Sequence, residues 1–266
     1  MKTSKSLFAI IFVATAAISC SKDAKTPPAQ AATPLVKQMV ITYPYIRSVY
    51  NNTYDDQKRL ATVGNANNII TYNAGGFEIS QPYNADKLIT DVTLDNSGRI
   101  GTVLSYPNTN ERYNSIFSYD TKGRLAKIVQ TGTYYGRVVR HLTFIYTWDD
   151  NDNLLSSRII SDNDDSTVTY SGFSAENVNT LKGSNFGFDY FGTADYPSDF
   201  VPNDNGGSGV TFPSIYAGKI LPTQVKGPGY TRNLTYHKNA LGYIDRIETN
   251  NPASAVDHTI TDIAYQ

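Results

Sequence analysis

The 266-residue chain holds one cysteine (Cys20), three histidines (His141, His237 and His258) and four glutamates, set against 20 aspartates. Cys20 directly follows an apolar run from Leu7 to Ile18, which Lys2 and Lys5 precede. A charged start, a short apolar core and a small residue at its end are the parts of an export signal, and the run is short for a bilayer-crossing helix. The histidines lack metal-ligand spacing, so zinc is not expected. Asp149, Asn151 and Asn153 imitate the start of a calcium loop, but the sixth position lacks Gly and the twelfth is Ile160 instead of Glu. With Asp162, Asp164 and Asp165 they read as two polar hairpin tips. Neither a G-x-S-x-G elbow nor a glycine loop opening a helix is present. The expectation is a chain without catalytic residues, metal or cofactor. Glycoside chemistry, which needs two placed carboxylates, is the enzymatic alternative.

Exposed aromatic side chains are the remaining binding candidates. Tyr134, Tyr135, Tyr190 and Phe191 are the predicted ligand platforms. Tyr134 and Tyr135 lie in a Thr-Gly-Thr-Tyr-Tyr-Gly hairpin tip, and adjacent strand residues point to opposite faces, so at least one is expected to be exposed. Trp148 shares a face with Leu142, Phe144 and Tyr146 and is read as packing. Residues 183–229 are rich in Gly, Pro, Asn and Phe. They are expected to form an irregular stretch whose aromatics plug one end of a barrel, or else line a groove.

The elements that would carry these residues are strands. Thr (28), Asn (23), Tyr (20), Asp (20) and Gly (19) make up 110 positions. Asp in place of Glu favours turns, and Thr and Tyr favour strands. This composition argues against a helical bundle or a coiled coil. A lone cysteine rules out a disulfide scaffold, and a net charge of −1 gives no footprint for nucleic acid. One unit recurs: strand, Tyr-Asp-like pair, turn, Gly-Arg-Leu-like restart, strand. The clearest copy runs from Phe117 through Tyr119-Asp120 and Gly123-Arg124-Leu125 to Ile128. Others begin near Tyr54, Leu94, Trp148 and Tyr236, with worn copies expected at Tyr72, Tyr170, Tyr190, Tyr216 and Tyr265. These anchors recur about every 23 residues, the length of one hairpin. The Asp is expected to fold back onto backbone amides, the Gly to supply a positive φ, and the Arg to lie over the Tyr ring of the preceding strand.

Two resemblances follow from these residues. Ala17-Ile18-Ser19-Cys20 resembles the lipobox of bacterial lipoproteins, which implies a lipidated Cys20 after removal of residues 1–19. Several acyl chains, at about 0.8 kcal/mol per buried CH₂, would make a stable anchor. Ser21-Lys22-Asp23 resembles a short surface-export signal. The recurring unit resembles the YD (Rhs-type) repeat. With the signal and the final Ile260–Tyr265 strand, the chain is similar to an uncharacterised Bacteroidetes family of β-rich lipoproteins with a porin-like fold. The organisation read here is a signal peptide over 1–19, a lipidated cysteine and flexible tether over 20–38, and a single β-repeat domain over 39–266. The fold class is all-β: an antiparallel meander of hairpins, curled or barrel-like. A membrane pore is not implied, because an outward apolar band is lacking. The resemblance implies an outer-membrane lipoprotein, with surface exposure implied by Ser21-Lys22-Asp23, acting as a non-enzymatic structural or interaction module. Its partners would be the membrane, through the lipid, and a glycan or envelope protein. Surface glycan binding is the second reading, and no nucleic acid is expected.

Overall fold

The computed structural model describes residues 35–63, 68–80, 89–181 and 218–266. Cys20, the signal segment, Tyr190, Phe191, Tyr216 and most of 183–229 lie outside the described residues.

Seventeen strands succeed one another: β1 (Val36–Thr42), β2 (Arg47–Asn51), β3 (Thr53–Tyr54), β4 (Leu60–Val63), β5 (Asn68–Asn73), β6 (Gly76–Ser80), β7 (Ile89–Leu94), β8 (Ile100–Asn108) and β9 (Glu111–Tyr119). They continue as β10 (Leu125–Tyr134), β11 (Arg137–Trp148), β12 (Leu154–Ser161), β13 (Asp165–Ser171), β14 (Gln224–Gly227), β15 (Tyr230–Lys238), β16 (Ile244–Asn251) and β17 (Ser254–Tyr265). Among the described residues a 3₁₀ turn, Ala175–Asn177, follows β13. The expected all-β meander is what the chain forms. Two boundaries differ from expectation. The first strand opens at Val36, ahead of residue 39, and the stretch predicted to be irregular contains β14.

From β3 onward each strand pairs antiparallel with its chain neighbours, and β17 returns to pair with β1. On its other side β1 pairs with β2. Strands β2 and β3 meet at Asn52, whose N–H donates to Lys37 O at 2.8 Å before β3 turns to pair with β4. The result is a nearly closed, barrel-like sheet, which leaves few strand edges to template association.

Alternation sorts the side chains. In β11, Leu142, Phe144 and Tyr146 are buried while His141 and Thr147 are exposed. Ile128 and Phe144 face one another in register, both fully buried; such a Phe contributes about 2–3 kcal/mol by leaving water. The buried residues of all these strands form one apolar cluster. The outward face carries charge. Arg246 bonds Asp262 at 2.7 Å, His237 lies 3.2 Å from Glu248, and Arg158 pairs with Asp165. Ion pairs of this kind are foreign to a lipid-facing band, and they share the outward face with exposed Ile69, Ile116 and Val129.

Antiparallel succession also separates the connections into two sets. Loops 55–59, 74–75, 95–99, 120–124, 149–153 and 239–243 share one end with the long β13–β14 connection. Leu35 and Gln266 bond one another at this same end. The tips at 43–46, 109–110, 135–136, 162–164, 228–229 and 252–253 share the other end.

Candidate functional site at the barrel mouth

The two ends use their polar residues differently. At the first end, five connections adopt one geometry. Asp95 Oδ1 accepts from Ser97 N (2.8 Å) and Arg99 N (2.9 Å), while Oδ2 accepts from Arg99 Nε (2.8 Å) and Nη2 (2.7 Å). Asp55 and Asp120 repeat this with Gln57 and Arg59, and with Lys122 and Arg124. Asp149 binds Asn151 and Asn153, and Asn239 binds Leu241 and Tyr243. The fourth position has positive φ in every copy: Lys58 (61°), Gly98 (74°), Gly123 (80°), Asp152 (66°) and Gly242 (83°). Chiral side chains resist that region, which explains the recurring Gly.

The Arg behaves differently from expectation. It lies over the aromatic of a later strand, not of the preceding one. Arg59 Cζ is 4.1 Å from the Tyr72 ring centroid, and Arg99 Cζ is 4.1 Å from that of Tyr119. Aromatics at this end also reach back to the start of an earlier strand, which Arg99 and Arg124 open in two cases and Tyr243 in the third. Tyr119 OH donates to Ile100 O (2.8 Å), Trp148 Nε1 to Leu125 O (2.7 Å) and Tyr265 OH to Ile244 O. These bonds staple neighbouring strands together. Arg124 extends the staple, donating to Asp149 O (2.6 Å) and Asp152 Oδ1 (3.1 Å). The Asp149 carboxylate, placed above as a calcium-loop imitation, is used on its own turn.

Bonds from Arg99, side chain first and then backbone, hold the Asp95 carboxyl below the usual 3.8. The Arg59 amide leads the same effect on Asp55. These acids are therefore charged parts of turns, with a structural reason for their altered acidity.

The described flanks of the β13–β14 connection lie over this end. Leu181 and Leu221 are fully buried. Lys219 N donates to Asp152 O at 3.0 Å, Ile244 N to Thr180 Oγ1 at 3.0 Å, and Tyr236 OH to Pro222 O at 2.6 Å. The expected plug rests on aromatics of 183–217, which lie outside the described residues.

The opposite end presents a different set. Paired positions put Glu111, Tyr134 and Arg137 in one row across β9, β10 and β11, with Tyr113, Gly132 and Arg140 in a row beneath on the same, inner face. Deeper still, Gln130 Nε2 donates to Ser115 Oγ at 3.1 Å, and both are buried. Gly132 is required here: a Cβ would stand 2.8 Å from Tyr113 Cε1 and 3.2 Å from Arg140 Cβ. The missing side chain lets the Tyr113 ring lie across the strand. Tyr113 OH donates to Glu111 Oε1. Burial first, then the Glu111 carboxylate, push the Tyr113 hydroxyl up to about 12.

Tyr134 and Tyr135 are both exposed, at 48% and 66%. They do not point to opposite faces. Tyr135 has φ 48° and Gly136 has φ 75°, so both occupy the centre of a type I′ turn. That reversal brings the two rings together, with centroids 4.6 Å apart at 78°. Tyr135 N donates to Asn110 O at 2.8 Å, joining this tip to the β8–β9 tip. Trp148 packs as expected, half-buried at the other end. Among the described residues the structure thus brings Tyr134 and Tyr135 together and adds Glu111, Tyr113, Arg137 and Arg140 beside them. The sequence signal for those four is weak: Glu111 is one of four glutamates, but its partners depend on strand register.

Comparisons with known proteins fit this architecture. No family model matches the chain, and no curated protein matches it. Among solved structures it is similar to a porin-like protein from Bacteroides uniformis ATCC 8492, at 13% identity and TM-score 0.62, covering 86% of this chain and 96% of that one. It is also similar to a porin-like protein from Bacteroides vulgatus ATCC 8482, at 13% identity and TM-score 0.57, covering 88% and 99%. At such identity the likeness is one of fold.

Proposed function

We propose that the chain is a cell-envelope lipoprotein, held to the outer membrane by lipid on Cys20, whose β domain is a non-enzymatic interaction module. The observation that carries this reading is the set of ion pairs on the outward face of the sheet. A domain so faced belongs in water and needs a separate anchor, and Cys20 at the end of an export signal supplies one. The fold shared with the Bacteroides porin-like proteins supports an envelope setting. The Asp-turn-Arg units are read as worn copies of the YD repeat, used here to build a small domain. Replacing Cys20→Ala in the full chain tests the anchor. The variant is expected to lose palmitate labelling and to leave the membrane fraction. Retention of both would refute lipidation.

The second reading is a surface glycan-binding lipoprotein. It rests on the Tyr134–Tyr135 corner. Two exposed rings at a steep angle, with Arg137 and the Glu111–Tyr113 pair on the same lip, offer stacking faces and hydrogen-bonding groups together.

A further inference from the structure

Tyr135 sits in an unfavourable place. A bulky residue in the left-handed region costs about 1–2 kcal/mol, and the first central position of a type I′ turn ordinarily takes Asn, Asp or Gly. The other positive-φ residues bearing side chains, Lys58 and Asp152, belong to the repeated turns described above. Burial does not offset the cost for Tyr135, which stays largely in solvent. Backbone strain of this kind clusters at ligand clamps and active sites.

The neighbours indicate what that is. Arg137, directly across from Tyr134, is exposed, and its side chain makes no hydrogen bond or ion pair among the described residues. Arg140 lies one row deeper beside Tyr113. Glu111, across from Tyr134, receives the Tyr113 hydroxyl. The lip therefore offers a guanidinium fork next to two open ring faces. Guanidinium groups bind carboxylates through paired, charge-assisted hydrogen bonds.

We propose that this lip is a subsite for a carboxylated sugar: a uronate unit whose ring stacks on Tyr135 while its carboxylate meets Arg137. The proposal rests on the glycan-binding reading and narrows its ligand to an acidic polysaccharide.

The test is affinity electrophoresis of the full chain, in detergent, through gels containing polygalacturonate, alginate or fully methyl-esterified polygalacturonate. At least one of the two acidic polymers is expected to retard the chain, and the esterified polymer is expected to leave it unretarded. Arg137→Gln should weaken that retardation roughly tenfold, the loss expected for one charge-assisted bond. Tyr135→Asn should abolish it without lowering the midpoint of thermal unfolding, because Asn suits the turn. Equal retardation by the acidic and esterified polymers would overturn the uronate subsite and leave glycan binding standing. Failure with all three, and with a panel of neutral glycans, would overturn both. Retardation that survives Tyr135→Asn would mark general charge attraction and overturn the subsite.

Discussion

At the scale of single residues, the chain's polar groups divide into those consumed by turns and those left at the mouth. Asp55, Asp95, Asp120 and Asp149 are all held below the ordinary 3.8 of a carboxyl. For Asp95 the Arg99 side chain and amide lead; for Asp120 and Asp149 burial opposes the shift and the bonds outweigh it. A carboxyl with a lowered folded pKa adds stability that is complete above its unfolded pKa, and that stability is lost as pH falls through the folded value. The thermal midpoint should therefore hold from neutrality down to about pH 5 and then fall steadily through the acid range. Asp95→Asn should flatten part of that fall. Asn239 shows that an amide can fill the place, accepting from Leu241 N at 3.0 Å and Tyr243 N at 3.1 Å. An acid profile identical to that of the parent chain would show that the Asp95 turn does not contribute.

At the scale of elements, the working unit is a hairpin plus the staple that joins it to the next. The staple has two strands of evidence: an Arg over a ring, and a ring N–H or O–H on a carbonyl at the start of the earlier strand. Trp148 and Tyr119 make the equivalent bond with different side chains, to Leu125 O and Ile100 O. Trp148→Phe removes the donor and keeps the ring. It should cost about 1–3 kcal/mol, because a half-buried carbonyl loses its partner. Trp148→Tyr should recover part of that loss. Urea unfolding followed by far-ultraviolet circular dichroism reads both, and equal stability of the Phe and Tyr variants would refute the bond's contribution. The repeating Asp, the turn Gly and the strand alternation were all legible in the sequence, since each is a local constraint on neighbouring backbone. The partner of the Arg was not. It belongs to a later strand, and the distance along the chain varies from Arg59–Tyr72 to Arg124–Trp148.

At the scale of the molecule, closure depends on β1, which pairs with β2 on one side and β17 on the other. Val40 lies in the middle of both ladders, opposite Val49 and Asp262. A proline there removes a ladder donor and resists the strand on either side, at about 3 kcal/mol or more. Val40→Pro should lose cooperative unfolding as read by Trp148 fluorescence, and an unchanged unfolding midpoint would show that the seam is dispensable. Closure also places both ends of the domain, Leu35 and Gln266, among the Asp turns. The Tyr134–Tyr135 tip therefore stands at the end opposite Leu35 and Gln266.

Composition and spacing alone determined the all-β class and the chemistry of the Asp turns. These are local matters, decided by backbone preference within a few residues. Tertiary structure decided three further things. It turned the meander into a nearly closed sheet, because β1 and β17 meet across the whole length of the domain. It set the strand register that gathers Glu111, Tyr113, Arg137 and Arg140 on one lip. It also brought Tyr134 and Tyr135 together, because a left-handed turn residue cancels the alternation that a strand would impose.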